Sequence, residues 1–183
     1  MKMSPVKKLV FTAVSAALCL VLPMAFHAIP NAGQVFLPMH IPVLLCGLIC
    51  GWPYGGVCGL VGPLLSSLIT SMPPMAMLPG MMVECCVYGL VSGLLMKYVR
   101  TKFAVADLYI SLISAMLAGR LVAGLANAWI FTTGAAPFAW VTTSLVTGIP
   151  GIVIQLVLMP TVMFALTKAK LVPTRYPKEI AHE

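Results

Sequence analysis

Six apolar stretches separated by short connections constrain this chain more than any other feature of its sequence. They cover about residues 8–28, 40–53, 55–71, 79–97, 107–130 and 142–168. A helix of roughly 20 apolar residues crosses the hydrocarbon core of a bilayer. Only 8% of the residues are charged and the mean hydropathy is +1.04, whereas a soluble domain has about 25% charged residues. The sequence therefore predicts an all-α integral membrane protein, with residues 1–183 forming one membrane domain.

The basic residues decide how often the chain crosses the membrane, because basic residues beside membrane helices stay on the cytoplasmic side. The stretches 40–53 and 55–71 are short, so 41–71 could instead form one long helix broken at Trp52-Pro-Tyr-Gly-Gly56. The basic clusters precede the first stretch, separate the fourth from the fifth, and follow the last: Lys2, Lys7, Lys8; Lys97, Arg100, Lys102; Lys168, Lys170, Arg175, Lys178. Six crossings put every cluster inside. We therefore predict six transmembrane helices with cytoplasmic N- and C-termini.

On that topology the outer connections are 29–39, 71–78 and 131–141, and none contains a charged residue. Their prolines fix backbone angles and remove hydrogen-bond donors, so we expect stiff apolar covers above a small-molecule pocket. Within the helices, glycine pairs spaced four apart allow close helix contact in lipid. They are Gly47 and Gly51, Gly55 and Gly59, and Gly89 and Gly93.

Several function classes are disfavoured by the sequence. It has no Gly-x-Ser-x-Gly, no His-Glu-x-x-His and no phosphate loop, so we predict no enzyme activity, no metal and no cofactor of its own. The basic residues lack interleaved aromatic residues, which argues against a nucleic acid polymer as partner. The six cysteines lie in apolar stretches and are interpreted as small buried hydrophobes. A soft-metal or haem site formed by Cys46, Cys50 and His40 is the alternative.

Two charged side chains, Glu84 and Arg120, lie inside apolar stretches. A charge in hydrocarbon costs roughly 2.5–3.5 kcal/mol on insertion scales, so such residues usually face a cavity, a partner or a transport pathway. The helical rise places Glu84 within about 8 Å of the outer end of its helix and Arg120 about 20 Å from the cytoplasmic end of its own. Both are predicted in the outer half of the membrane. They bind a polar ligand, form an ion pair that locks two helices, or relay protons.

Further candidate ligand contacts follow from helical spacing. Tyr88 shares a face with Glu84, and Asn127 shares a face with Arg120. Gln155 follows the Pro150-Gly151 break in the last stretch.

Three ring side chains complete the candidate set. His40 follows the first outer connection, where it caps the second helix or contacts the ligand. Trp129 and Trp140 border the third outer connection. Indoles near helix ends anchor at the membrane interface, or they stack on a planar ligand.

In this order, the motifs of the chain resemble the substrate-binding S components of energy-coupling factor (ECF) vitamin transporters. The matching stretches are Met39-His-Ile-Pro-Val-Leu-Leu-Cys-Gly47, Gly59-Leu-Val-Gly-Pro-Leu-Leu-Ser-Ser67, Met72-Pro-Pro-Met75 with Glu84 to Gly93, Ala118-Gly-Arg-Leu-Val-Ala-Gly124, and Pro150-Gly-Ile-Val-Ile-Gln155. Each motif is weak alone, but together they cover nearly the whole chain.

The resemblance implies a vitamin-binding subunit of the bacterial cell membrane that works with a transmembrane coupling subunit and two cytoplasmic ATPases, which use the ATP. It also implies a pocket near the outer face, and docking on the coupling subunit through Ala13 and Ala17 of the first helix.

The substrate is left open by the resemblance. Glu84, Arg120, Asn127 and Gln155 suit a queuosine precursor or another 7-deazaguanine, a heterocycle rich in donors and acceptors. Pantothenate, folate, and cobalamin or haem are the alternatives. A stand-alone proton-coupled secondary transporter, with Glu84 as the proton carrier, is the alternative from another class.

Overall fold

Helices carry almost all of the described chain, which in the computed structural model comprises residues 3–25, 32–131 and 137–173. In chain order they are α1 (Pro5–Ala25), α2 (Ala32–Phe36), α3 (His40–Cys50), α4 (Trp52–Thr70), α5 (Leu78–Tyr98), α6 (Ala104–Ala126), α7 (Pro137–Thr147) and α8 (Ile149–Lys168). A π-helical turn, Asn127–Phe131, continues α6. These ranges contain no β-strand, which confirms the all-α prediction for the described residues.

Within the described part of the chain, five helical segments are long and apolar enough to cross a membrane: α1, α4, α5, Ala104–Ile130 and α8. The second predicted stretch, 40–53, contains α3, which has only 11 residues. Its boundary with α4 lies at Gly51, where φ is +97°, earlier than the predicted break. Glycine reaches this backbone angle without steric penalty, and a proline in the first turn of α4 is compatible with a new helix start.

Two further predictions differ from the structure. The predicted helix over 142–168 is instead two helices, α7 and α8, separated at Gly148. Pro150 lacks the N–H that a continuous helix would need there. The predicted connection 29–39 contains α2, whose last turn packs on α8 at Gly151. This packing is a tertiary contact, so the local sequence pattern does not reveal it.

Helix α5 lies at the centre of the bundle and packs against α3, α4 and α6. Its contact with α3 and α4 depends on missing side chains: a Cβ on Gly47 would lie 2.6 Å, and one on Gly55 2.5 Å, from the Gly89 carbonyl oxygen. Close backbone contact of this kind drives helix association in lipid. The glycine spacing seen in the sequence therefore serves internal packing.

The connection between α5 and α6 is held by Asp107, which is fully buried. Its Oδ1 accepts hydrogen bonds from the Thr101 backbone N–H at 2.8 Å and from the Thr101 hydroxyl at 2.7 Å. These bonds fix the connection between the two helices that carry Glu84 and Arg120.

Five of the six cysteines are buried core residues. Cys86 is half-buried, and all six are free thiols. Within the described ranges no three His, Cys, Asp or Glu side chains come together as a metal site.

Candidate functional site

Helices α5 and α6 bring three polar side chains together in the bundle. The Tyr88 hydroxyl donates a hydrogen bond of 2.8 Å to Glu84 Oε1 and accepts one of 3.2 Å from Arg120 Nε. Arg120 Nε also lies 3.9 Å from Glu84 Oε1. Glu84 is 7% exposed and Arg120 is 2% exposed. Glu84 and Arg120 thus form a buried ion pair that Tyr88 bridges.

A glycine makes this arrangement possible. A Cβ on Gly119 would collide with the Tyr88 ring and lie 3.2 Å from the Glu84 backbone oxygen. Gly119 therefore lets α6 approach α5 closely enough for Arg120, one residue further on, to reach the tyrosine hydroxyl.

His40, the first residue of α3, adds an imidazole to the same oxygen. Its Nε2 lies 3.6 Å from Glu84 Oε1, and its ring centroid lies 5.0 Å from that of Tyr88. The side chain is fully buried, and neither ring nitrogen has a hydrogen-bond partner among the described residues. An unpaired buried polar atom carries a desolvation penalty, so His40 has binding capacity left for another molecule.

The remaining contacts of Arg120 are with α7 and with Gly148, which separates α7 from α8. Its Nη1 donates to the Ser144 backbone carbonyl of α7. A Cβ on Gly148 would lie 2.8 Å from Nη2, so the absence of a side chain there makes room for the guanidinium. Arg120 is thus shared between the carboxylate and the backbone of α7.

A cavity of about 410 Å³ opens beside this cluster. Its lining combines apolar side chains, hydroxyl groups, a carboxamide and the charged pair. The lining residues are Leu37, His40, Ala76, Met77, Met81, Glu84, Arg120, Asn127, Thr143, Ser144 and Thr147. Apolar walls with a few convergent polar groups are typical of small-molecule sites.

The structure brings four predicted site residues to the cavity wall: His40, Glu84, Arg120 and Asn127. Asn127 Nδ2 donates to the Ala123 carbonyl at 2.9 Å. Tyr88 does not line the cavity. It forms hydrogen bonds with Glu84 and Arg120 from behind the cavity wall.

Two other predicted ligand contacts, Gln155 and Trp129, do not line the cavity. Gln155 is fully buried but is not part of the cavity lining. Trp129 is 82% exposed. Trp140 belongs to α7, but its side chain lies outside the described residues.

The predicted docking residues, Ala13 and Ala17, lie on an exposed face of α1. The buried residues of the helix, Ser15, Cys19 and Pro23, are on the other side.

Sequence reasoning missed the hydroxyl groups of α7. Thr143, Ser144 and Thr147 line the cavity, at successive spacings of one and three residues. The sequence carries a signal for them, a run of hydroxyl residues in an apolar stretch, but the assumption of one continuous last helix hid it.

The two carboxylate oxygens of Glu84 differ in their contacts. The contacts with Tyr88, His40 and Arg120 all converge on Glu84 Oε1, and none of these three involves Oε2. A carboxylate oxygen accepts hydrogen bonds only, and a neutral imidazole offers one donor and one acceptor. The site is suited to binding a molecule with N–H donors and a neighbouring acceptor.

Comparison with known proteins gives the family. The sequence model described as "ECF transporter, substrate-specific component" matches residues 7–163, most of the chain. Comparison with the curated proteins and with the solved structures gave no significant match. Members of the matched family are multi-pass plasma membrane proteins, subunits of transporters rather than enzymes, that work with a membrane coupling subunit and ATPases. The chain belongs to the family of ECF transporter substrate-specific components.

Proposed function

We propose that this protein captures a small uncharged heterocycle with N–H donors in the cavity beside Glu84, and delivers it to an ECF-type importer of the bacterial plasma membrane. A transmembrane coupling subunit and two cytoplasmic ATPases complete the proposed importer. The chain would cross the membrane six times, with α3 as the short second crossing and both termini in the cytoplasm. Six crossings put all three basic clusters of the sequence on the cytoplasmic side, which supports this topology.

The convergence of three side chains on one oxygen of Glu84 carries the proposal. The charges of Glu84 and Arg120 compensate each other, and burying an additional net charge is expensive. A neutral ligand avoids that cost. Its N–H groups would bond Glu84 Oε2, and its acceptor would meet an imidazole nitrogen of His40.

A 7-deazaguanine, such as a queuosine precursor, fits this description best among the substrates considered. It is planar and carries N–H donors beside a carbonyl acceptor. The side chains of Met77 and Met81 line the same cavity, and thioethers make favourable contacts with aromatic rings.

The charge balance of the site argues against pantothenate. Glu84 already compensates Arg120 at 3.9 Å, so a substrate carboxylate would bring an uncompensated charge into a buried site. Size argues against cobalamin or haem, since about 410 Å³ is at the low end of the roughly 300–1,000 Å³ seen for ligand pockets.

Direct binding tests the proposal. Purified protein is titrated with 7-cyano-7-deazaguanine, with pantothenate and with folate, after mass spectrometry of any small molecule released on denaturation. We expect saturable binding of the deazaguanine. Glu84→Gln should weaken it at least about tenfold, since a hydrogen bond to a charged group contributes about 1.5–3 kcal/mol. The matched control is Lys97→Met, which removes a charge from an exposed side chain outside the cavity lining. Unchanged affinity in Glu84→Gln would refute the site.

The buried carboxylate also supports the competing function, a stand-alone proton-coupled transporter. Reconstitution distinguishes the two. Uptake that needs the coupling subunit, the ATPases and ATP supports the ECF mechanism. Uptake by the isolated protein down a proton gradient would contradict it.

A further inference from the structure

Gln155 is a buried polar residue that the cavity leaves unexplained. It is fully buried on α8, and its Oε1 has no hydrogen-bond partner among the described residues. Its Nε2 donates a 3.3 Å hydrogen bond to the backbone carbonyl of Leu37. The polar end of Gln155 is thus directed at the turn between α2 and α3, and not at the cavity.

The turn at Leu37 is held in an unfavourable backbone conformation. Leu37 has φ of +51°, in the left-handed region that residues with a Cβ rarely adopt. Such strain persists only where the surrounding structure over-determines it. The Leu37 carbonyl accepts two hydrogen bonds, from Gln155 and from the backbone N–H of His40 at 3.1 Å.

Helix α8 supports the same segment at a second point. A Cβ on Gly151 would lie 2.7 Å from the Val35 carbonyl oxygen and 2.9 Å from that of Phe36. Gly151 and Gln155 are four residues apart and therefore share one face of α8. That face contacts the chain just before Leu37 and at Leu37 itself.

His40 depends on this turn for its position. It begins α3 three residues after Leu37, and α3 has no side-chain cap at its N-terminus. The imidazole must lie within a fraction of an ångström of its observed place to keep its 3.6 Å approach to Glu84 Oε1. Small displacements of the turn would therefore be transmitted to the binding groups.

We infer that Gln155 is a positioning residue, which fixes the Leu37 turn and thereby holds the His40 imidazole beside Glu84. The inference rests on the proposed function only in taking the cavity as the binding site. Helix α8 then acts on the ligand through this turn without touching it.

The test uses substrate-free protein, so that its result is independent of which ligand binds. Gln155→Met preserves the side-chain length and removes the donor. The ring ¹⁵N signals of His40, assigned through His40→Gln, should shift in this variant. Amide exchange at His40 should accelerate about tenfold, the change expected for losing roughly one net hydrogen bond. Thr161→Val removes a hydroxyl bond from the exposed side of α8 and should change neither measurement.

The outcomes separate the two roles of a buried glutamine. If Gln155→Met lowers the Tm while the His40 signals and its amide exchange stay as in the wild type, Gln155 only packs α8 and the inference is overturned. Gln155→Asn, whose shorter side chain no longer reaches Leu37, serves as the second variant if Gln155→Met does not fold. Failure of 7-cyano-7-deazaguanine to bind would contradict the proposed substrate and leave these measurements valid.

Discussion

Removing both charges of the Glu84–Arg120 pair should destabilise the protein by clearly less than the sum of the two single removals. The two groups lie 3.9 Å apart and are almost completely buried. At that distance two unit charges attract by about 4 kcal/mol for an effective dielectric constant of 20. Losing one partner of a buried pair costs about 3–5 kcal/mol, because the other charge is left uncompensated.

A double-mutant cycle measures this coupling. Glu84→Gln keeps an oxygen that accepts from Tyr88, and Arg120→Met keeps most of the side-chain volume. We expect each single variant to lose about 3–5 kcal/mol of unfolding free energy. The double variant should lose at least about 2 kcal/mol less than the sum of the two, since neither charge then remains alone. Equilibrium unfolding in mixed detergent micelles, followed by circular dichroism, gives the four free energies.

An exposed charge provides the control. Lys97, in the last turn of α5, is exposed, and Lys97→Met should change the unfolding free energy by no more than about 0.5 kcal/mol. The two charges do not interact if the loss in the double variant equals the sum of the two single-variant losses within about 0.5 kcal/mol. The ion pair would then be no basis for a neutral ligand.

Three further substitutions test the packing around the pair. Gly119→Ala should lower the unfolding free energy by about 1–3 kcal/mol, because its methyl group would meet the buried Tyr88 ring; an unchanged Tm would contradict that contact. Gly89→Ala should be more severe, since its methyl group would meet backbone atoms of α4, which cannot rotate away. Size-exclusion chromatography should show little folded protein, and a normal monodisperse peak would refute the close helix contact. Ser144→Ala should leave the unfolding free energy within about 1 kcal/mol of the wild type, because Arg120 bonds the backbone carbonyl at this position; a loss comparable to that of Arg120→Met would show that the hydroxyl is the true partner.

The sequence was most informative where a local property decides the outcome. Hydropathy and length located every long apolar helix, because a bilayer imposes the same requirement on each spanning segment. Helical spacing placed Tyr88 beside Glu84, and the cost of a buried charge singled out Glu84 and Arg120. The site residues stay predictions until ligand binding is measured.

Tertiary contacts decided the rest. The division of 142–168 into α7 and α8 brings Thr143 and Thr147 to the cavity, and it leaves Gln155 bonded to Leu37. The left-handed backbone conformation of Leu37 is unfavourable in isolation, so the local sequence does not predict it.

Sequence alone therefore determined that this chain is a helical membrane protein with two charged residues, Glu84 and Arg120, in apolar stretches. Only the tertiary structure decided that Glu84 and Arg120 pair through Tyr88, and that His40 joins them with both ring nitrogens unpartnered among the described residues. The physical reason is that hydrophobicity and helical periodicity act along the chain, whereas hydrogen bonds between helices depend on how closely the backbones approach. Here glycines at the helix contacts set that distance.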